Sequence, residues 1–174
     1  HYPLRRQRQM CIRDRGREEQ AGQLFQGYQQ QLGQQQAWVA QAQAQHAAPG
    51  VLLLLGHAGG KPLIAGKDTA ANWLLQQAGG RNLATHTGYK PFSVESLAGL
   101  NPDVLVFSDR SLTGDAARAA LFKENPVLAS TPAAKAGRVV ELDPTLLVGG
   151  LGPRLPDSLK RLSSAFYPQA KPAQ

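Results

Sequence analysis

The sequence predicts an α/β protein in which one long helix is followed by a single α/β lobe with a mostly parallel sheet. From residue 51 onward, apolar runs of strand length alternate with windows of helical periodicity. Those runs are continuous rather than alternating, as is typical of strands buried on both faces. Residues 18 to 47 differ from the rest, because they lack proline and carry one weakly apolar stripe at helical spacing.

The glutamine- and alanine-rich segment from Glu18 to about Ala47 is predicted to form one long helix. A coiled coil is the alternative, but Gln35 interrupts the apolar seam that a coiled coil requires. A spine helix that packs along another part of the protein fits the single stripe better. The stripe consists of Ala21, Phe25, Tyr28, Leu32, Gln35, Val39 and Ala42.

Strands and helices of the lobe are placed by their apolar runs and by the residues that begin and end helices. Asp68 and Ser93 stand where helix N-caps are expected, and the pair Gly79-Gly80 stands where a helix ends. The predicted strands are Val51–Leu55, Val104–Phe107 and Val139–Leu142, and the predicted helices are Asp68–Gln77, a short one from Ser93 and a last one near Pro156–Phe166.

The basic character of the chain is concentrated in its first 15 residues. The formal net charge is +7, and HYPLRRQRQMCIRDR contributes five Arg and one Asp, which leaves +3 for the remainder. This stretch lacks the apolar core of a signal peptide, and it resembles the MCIRDR-type peptide that arises when sequencing-adapter DNA is translated. We therefore predict a non-native or disordered tail, and with it a chain that has lost its N-terminal part. An exposed basic arm, or an arm that binds nucleic acid, is the alternative.

The predicted division of the chain follows from these features. Residues 1–15 form the tail, 16–48 the spine helix, 49–168 the α/β lobe and 169–174 a second, disordered tail. The chain has 174 residues and is 42% hydrophobic, which is enough for one ordinary core. Its single cysteine, Cys11, lies in the first tail, so the rest contains no disulfide, iron-sulfur cluster or Cys-ligated zinc. No apolar run reaches the roughly 18 residues that span a bilayer.

The glycine-rich stretch after the first strand, GHAGGKPLIAGKDT, does not match a phosphate-binding loop. A Walker loop needs four residues between its glycines and a hydroxyl after the lysine, whereas here the spacing is three and Pro62 follows Lys61. The dinucleotide pattern Gly-x-Gly-x-x-Gly is also absent. What remains is His57, just past a strand end, either as a hydrogen-bonded loop residue or as a metal ligand. His86 is the candidate partner, and only the fold could bring it close.

Catalytic signatures are missing from the sequence as well. No Gly-x-Ser-x-Gly nucleophile elbow occurs, and the adjacent Ser108-Asp109 does not make a triad. Asp109 and Ser111 are interpreted as strand-end polar residues or caps. The stretch Tyr89-Lys90-Pro91 is interpreted as a turn before a helix, and its role as a structural loop or as a ligand contact stays open at this point.

Two long stretches of the chain carry a family resemblance. GKDTAANWLLQQAGGRNLA and GYKPFSVESLAGLNPDVLVFSDRSL resemble the C-terminal half of class III periplasmic substrate-binding proteins, whose two α/β lobes are joined by one long helix. The GYKP turn and the later GPRLP look most like the haem-binding members that supply bacterial haem-uptake ABC transporters. The resemblance covers about residues 18 to 167, and it implies that the long helix is the interlobe spine and the α/β part the second lobe.

The resemblance also implies a function and a set of site residues. It implies a non-catalytic periplasmic carrier that binds haem between two lobes and delivers it to an ABC permease and its ATPase, with the axial tyrosine on the lobe that precedes the spine. His57 would be the second axial or distal ligand of the haem iron, and Arg110 the distal arginine. Tyr89 and Lys90 would line the cleft, with the lysine available to a propionate. No nucleic acid is expected, and the membrane is met only through the permease.

Three other readings of the sequence compete with a haem carrier. A siderophore or cobalamin carrier of the same superfamily is the nearest. An α/β enzyme fragment would need a nucleophile or phosphate signature that the sequence lacks. A helical adaptor or nucleic-acid protein would need the basic tail to be native.

Overall fold

The long helix and the α/β lobe are both present in the computed structural model, which describes residues 18–56, 62–91, 93–148 and 152–170. No helix in this part of the chain is long and apolar enough to cross a membrane. The predicted tail at residues 1–15 and the last four residues of the chain lie outside the described ranges, so the division into segments stays a prediction. The elements are α1 Glu18–Gln45, β1 Gly50–Leu55, β2 Leu63–Ala65, α2 Ala70–Gln77, β3 Arg81–Asn82, β4 Tyr89–Pro91, α3 Val94–Gly99, β5 Val104–Ser108, α4 Gly114–Glu124, a 3-10 helix Pro126–Ser130, α5 Pro132–Lys135, β6 Val139–Glu141, α6 Thr145–Val148 and α7 Leu155–Phe166.

The sheet is mostly parallel, as predicted. Its strand order is β4-β2-β1-β5-β6, and the short β3 also pairs with β1. β1 runs parallel to β5 and β3, and β5 runs parallel to β6, whereas β2 pairs antiparallel with both β1 and β4. Every residue of β5 is buried, and so are the first five residues of β1. This double burial explains why both strands are continuously apolar in the sequence.

Each face of the sheet is covered by its own apolar cluster. One cluster contains Val51 and Leu53 of β1 with residues of α1, α2 and α7, and the other contains Leu52 and Leu54 with residues of α3, α4 and α5. Successive residues of a strand point to opposite faces, so the two clusters divide β1 between them. We call them the spine face and the opposite face.

The spine helix packs on the lobe through the predicted stripe. Ala21, Gln35, Val39 and Ala42 are buried, and Phe25, Tyr28 and Leu32 are half-buried. Gln35, which broke the apolar pattern, is only 4% exposed, and its Nε2 donates to Ser163 Oγ and, at 3.4 Å, to Leu159 O of α7. The polar residue is therefore a specific contact between α1 and α7, which satisfies an otherwise costly buried amide.

Two short motifs within the quoted stretches, Asn-Pro-Asp-Val and Ala-Gly-Gly-Arg-Asn, form hydrogen bonds that link strands to their neighbours. In the Asn-Pro-Asp-Val motif, the Asp103 carboxylate accepts a hydrogen bond from Gly50 N at 2.8 Å, and Asp103 N donates to Gly50 O at 2.8 Å. In the Ala-Gly-Gly-Arg-Asn motif, Asn82 Nδ2 donates to Ala65 O and to Asn72 Oδ1, each at 3.0 Å. The first motif joins β1 to β5, and the second joins β3 to β2 and α2.

The predicted N-cap of α2 is wrong by one residue. Asp68 has a φ of 62°, in the left-handed region, and α2 begins at Ala70 rather than at Asp68. Thr69 is the cap, because its extended backbone lets its hydroxyl accept from Asn72 N at 3.0 Å. The predicted end is confirmed: Gly79 has a φ of 87°, and a side chain on it would meet Tyr167 and Val39.

Of the other predicted elements, one helix cap is confirmed, and several boundaries and strands differ from the structure. The Ser93 cap is confirmed, since its Oγ accepts from Ser96 N at 3.3 Å. The residues Tyr89 to Pro91 form strand β4 and not a turn, because they pair with β2 at the sheet edge. The spine helix ends at Gln45, two residues before the predicted Ala47. The elements β2, β3, α4, α5, α6 and the 3-10 helix were not predicted.

Removing the buried amide tests the packing of the spine helix. We expect Gln35→Ala to lower the free energy of unfolding by about 1–3 kcal/mol, since it leaves a cavity and removes the hydrogen bond to Ser163. Gln36→Ala is the matched control: Gln36 bonds Gln77 at the exposed surface, and its loss is expected to change stability by less than about 0.5 kcal/mol. Urea denaturation followed by circular dichroism measures both, and equal effects of the two variants would contradict this packing.

Two neighbouring substitutions test which residue caps α2. Thr69→Ala is expected to lower stability by about 1 kcal/mol, because Asn72 N loses its acceptor. Asp68→Gly is expected to stay within about 0.5 kcal/mol of the unmodified chain, since glycine accepts a positive φ. Thermal denaturation distinguishes the two, and a larger loss for Asp68→Gly than for Thr69→Ala would restore Asp68 as the cap.

Candidate functional site

A groove of about 350 Å³ lies at the carboxyl ends of β1 and β5, where ligands of open parallel sheets bind. We call it the strand-end groove. It lies on the spine face, because Leu55 and Ser108 form a register pair and follow the face of Leu53 and Val106. Its lining residues are Leu55, Gly56, Leu63, Tyr89, Ser108, Asp109, Arg110, Ser111, Pro144 and Leu147.

Tyr89 and Arg110, two predicted site residues, are brought together in this groove. Tyr89 is 40% exposed although it belongs to the sheet, so its ring is available to a ligand. Arg110 follows β5 and is exposed, and no carboxylate among the described residues lies within salt-bridge distance of it. The groove therefore combines apolar walls, an aromatic ring and an unpaired cation, a combination suited to a flat apolar ligand that carries negative charge.

The other two predicted site residues, Lys90 and His57, are not among the described residues that line the groove. Lys90 is the register partner of Ile64, whose side chain lies in the cluster of the opposite face, and Lys90 does not line the groove. His57 lies outside the described residues, although it follows Gly56, which lines the groove. The candidate histidine partner, His86, places its Nε2 3.1 Å from Ile64 O of β2. The described residues contain no cluster of three metal-ligating side chains.

Asp109 shapes the loop that carries Arg110. Its Oδ1 accepts from Ser111 N at 2.7 Å, from Ser111 Oγ at 2.6 Å and from Leu112 N at 3.3 Å, which confirms its predicted role as a strand-end polar residue. The hydrogen bonds from Ser111, led by its hydroxyl, lower the pKa of Asp109 below the ordinary value against the opposing effect of burial. Asp109 Oδ1 thus bonds within its own loop, and no ion pair joins this carboxylate to the Arg110 guanidinium.

Gly56 makes the close approach of this loop possible. Its backbone N donates to Ser108 O at 2.8 Å, which extends the β1–β5 pairing by one step beyond Leu55. A side chain at position 56 would collide with the Asp109 carboxylate. The glycine therefore lets the loop after β5 fold against the end of β1, and this contact forms the floor of the groove.

A similar loop follows the next parallel strand. After β6, Asp143 Oδ1 accepts from Thr145 N at 2.9 Å and from Thr145 Oγ1 at 2.6 Å, and these bonds lower the pKa of Asp143. This loop places Pro144 and Leu147 on the wall of the groove. The repeated Asp-x-Ser/Thr pattern after a strand was readable in the sequence, but only the fold shows that both loops border one groove.

A second cavity of about 240 Å³ lies on the opposite face, between β5 and α4. It shares Gly56, Ser108, Asp109 and Ser111 with the strand-end groove. Its other walls are mostly apolar, and Ala117, Ala120 and Leu121 of α4 contribute to them. None of its described lining residues is an arginine or a lysine. The strand-end groove is therefore the better candidate for an anionic ligand.

A long helix joined to an α/β lobe, with an apolar and cationic groove at the strand ends, is the architecture of a ligand-binding lobe of the substrate-binding proteins. The model of the periplasmic binding protein family matches residues 2–146, and the chain belongs to that family. The fold predicted from the sequence and the resemblance to this superfamily are thereby confirmed.

Solved structures and curated proteins add detail to the family. The chain is 59% identical to a periplasmic haem-binding protein from Pseudomonas aeruginosa, with a TM-score of 0.83, covering 91% of this chain and 57% of that chain. It is 34% identical to the periplasmic haem-binding protein HutB of Vibrio cholerae, with a TM-score of 0.68, covering 87% and 58% of the two chains. It is 30% identical over 112 residues to a cobalamin-binding protein of Halobacterium salinarum, covering 62% of this chain and 30% of the relative. The chain thus spans less than two thirds of the length of each.

Acid should weaken the loop that carries Arg110. The lowered pKa means that the folded state favours the ionised Asp109, so its contribution to stability is complete above about pH 4 and disappears as the pH falls through the folded-state pKa. We expect Asp109→Asn and Ser111→Ala each to lower the free energy of unfolding at neutral pH and to approach the unmodified chain in acid. Urea unfolding between neutral and acidic pH measures this, and a constant difference across the range would contradict it.

Proposed function

We propose that this chain is the haem-binding lobe, with its spine helix, of a periplasmic carrier that delivers haem to an ABC importer. The observation that carries the proposal is the 59% identity, over 91% of the chain, to a protein described as a periplasmic haem-binding protein. The groove supports it independently, because a porphyrin needs an apolar surface and its propionates need a cation.

The groove residues take complementary roles in this proposal. Leu55, Leu63 and Leu147 offer apolar surface to one side of the macrocycle, and the Tyr89 ring offers an aromatic edge or face. Arg110 neutralises a ligand carboxylate or bonds the phenolate of an axial tyrosine supplied by another lobe. His57 remains the candidate second axial or distal ligand of the haem iron, whereas Lys90 lies on the other face of the sheet and takes no part in this groove.

The carrier does not transform its ligand. The chemistry of such a protein lies in the iron ligands, the hydrogen bonds to them and the burial of the macrocycle. The groove offers apolar contact and the Arg110 guanidinium, which has no carboxylate partner among the described residues, and this combination suits binding and release. The permease and the ATPase of the importer are the proposed partners, and the membrane is met only through them.

A cobalamin carrier is the second candidate, favoured by the similarity to the Halobacterium protein. Cobalamin is a larger and more polar ligand without propionates. A binding site for it would not depend on an unpaired arginine in the way that a haem site does. A siderophore carrier of the same superfamily is the third candidate. Binding of a neutral siderophore would not depend on Arg110, whereas binding of an anionic siderophore would depend on it as haem binding does.

A titration of the 174-residue chain tests the proposal. The Soret band of hemin is expected to shift on binding. The affinity is expected to be low, because the chain offers one wall of the ligand cleft. Arg110→Ala is expected to weaken binding roughly five- to tenfold, since it removes a charge-assisted hydrogen bond. His57→Ala is expected to change the shape of the Soret band if the imidazole reaches the iron.

The control variant for this titration is Arg161→Ala, which removes an exposed arginine of α7 outside the groove. It is expected to bind hemin as the unmodified chain does. Equal losses for both arginine variants would show that the effect is one of net charge and not of the groove. Saturable binding of cyanocobalamin, with no Soret change for hemin, would favour the cobalamin carrier.

A further inference from the structure

One buried polar side-chain atom of the strand-end groove has no hydrogen-bond partner in the part of the chain that the structure describes. Ser108 ends β5, is 3% exposed, and its Oγ is buried without a hydrogen bond. Most buried hydroxyl groups in proteins are hydrogen-bonded, because burial removes their hydrogen bonds to water and an unpaired group gains nothing in return. An orphaned hydroxyl at the floor of a binding groove is therefore a candidate for a bond that forms only with the ligand.

The groups next to Ser108 form hydrogen bonds that do not involve its hydroxyl. Its own carbonyl accepts from Gly56 N, which uses the backbone but not the hydroxyl. The nearby Asp109 Oδ1 already accepts three hydrogen bonds from Ser111 and Leu112. Among the described residues, neither the strand pairing nor the hydrogen bonds of the loop after it engage the Ser108 hydroxyl.

The orientation of the strand directs the side chain toward the groove. Ser108 is the register partner of Leu55 and follows Val106 on the spine face, and Ser108 and Leu55 both line the groove. A serine side chain has one heavy-atom torsion with three staggered positions. A change of rotamer therefore presents the hydroxyl to a ligand without moving the backbone of the central strand.

Arg110 determines which ligand group this hydroxyl would meet. The guanidinium lies in the same groove, two residues further along, and no described carboxylate pairs with it. An arginine fork beside a hydroxyl donor is a typical arrangement for holding a carboxylate, whose two oxygens accept several bonds at once.

We propose that Ser108 Oγ donates a hydrogen bond to a carboxylate of the ligand in the strand-end groove, beside Arg110, and so makes this lobe selective for a macrocycle that carries carboxylates. The inference rests on the proposed haem-binding function and adds a specificity-determining residue to it. It predicts that one propionate is turned toward the end of β5 instead of toward solvent.

Comparing hemin with its dimethyl ester tests the proposal, because the ester keeps the macrocycle and the iron but removes both carboxylate charges. The unmodified chain is expected to bind hemin several-fold more tightly than the ester. Ser108→Ala is expected to lose about half of this preference on a logarithmic scale, with a smaller effect on ester binding because an ester carbonyl is a weaker acceptor than a carboxylate, while Arg161→Ala keeps the preference. A Ser108→Ala chain that weakens both ligands equally, or neither, would overturn the assignment.

The stability of the ligand-free chain provides a second, independent readout. If Ser108 Oγ has no partner before the ligand arrives, Ser108→Ala leaves the unfolding temperature unchanged or raises it. A clear fall in that temperature would show that the hydroxyl has a structural partner, and it would overturn the proposal. An unmodified chain that binds neither hemin nor its ester would overturn the haem function itself, and the ligand selectivity of Ser108 with it.

Discussion

The parallel pairing of β1 with β5 is the constraint on which the rest of the structure depends. Five consecutive residue pairs, from Val51↔Val104 to Leu55↔Ser108, place these two strands at the centre of the sheet and bury both on two faces. The pairing is held at its start by the two hydrogen bonds between Asp103 and Gly50 and is extended at its end by Gly56 N to Ser108 O. A shift of one residue would exchange the side chains of one strand between the spine face and the opposite face, and it would also separate the two strand ends.

The proposed function depends on where these two strands end. β1 and β5 end together, and the loops after β5 and β6 both border the strand-end groove. In each loop an aspartate accepts hydrogen bonds from a serine or threonine two residues later. Asp109 is thereby occupied within its loop, and Arg110 is left without a described carboxylate partner. The groove gains a cation and a hydroxyl at its floor while its walls remain apolar, and this contrast is what a carboxylate-bearing macrocycle requires.

The sequence predicts the parts of the fold that are determined by burial and misses those determined by pairing. Strands β1 and β5 are recognisable because burial on both faces makes them continuously apolar, and the stripe of α1 is recognisable because one side packs on the lobe. Strands β2 and β4 have three residues each and lie toward the sheet edge, so their short sequences carry no periodicity, and the structure forms them through antiparallel pairing. Helix α4 was missed because only Ala117 on it is fully buried. Of the site, Tyr89 and Arg110 were predicted through the family resemblance, whereas Ser108 was not, although a polar residue that ends an apolar run was visible in the sequence.

The most direct test of the central claim is a map of where a porphyrin contacts the chain. Gallium protoporphyrin is diamagnetic, and its titration into ¹⁵N-labelled chain can be followed by amide chemical shifts even when binding is weak. The account predicts shifts concentrated at Gly56, Leu63, Tyr89, Arg110 and Leu147, around the strand-end groove. Shifts confined to α1, or to the cavity between β5 and α4, would contradict it.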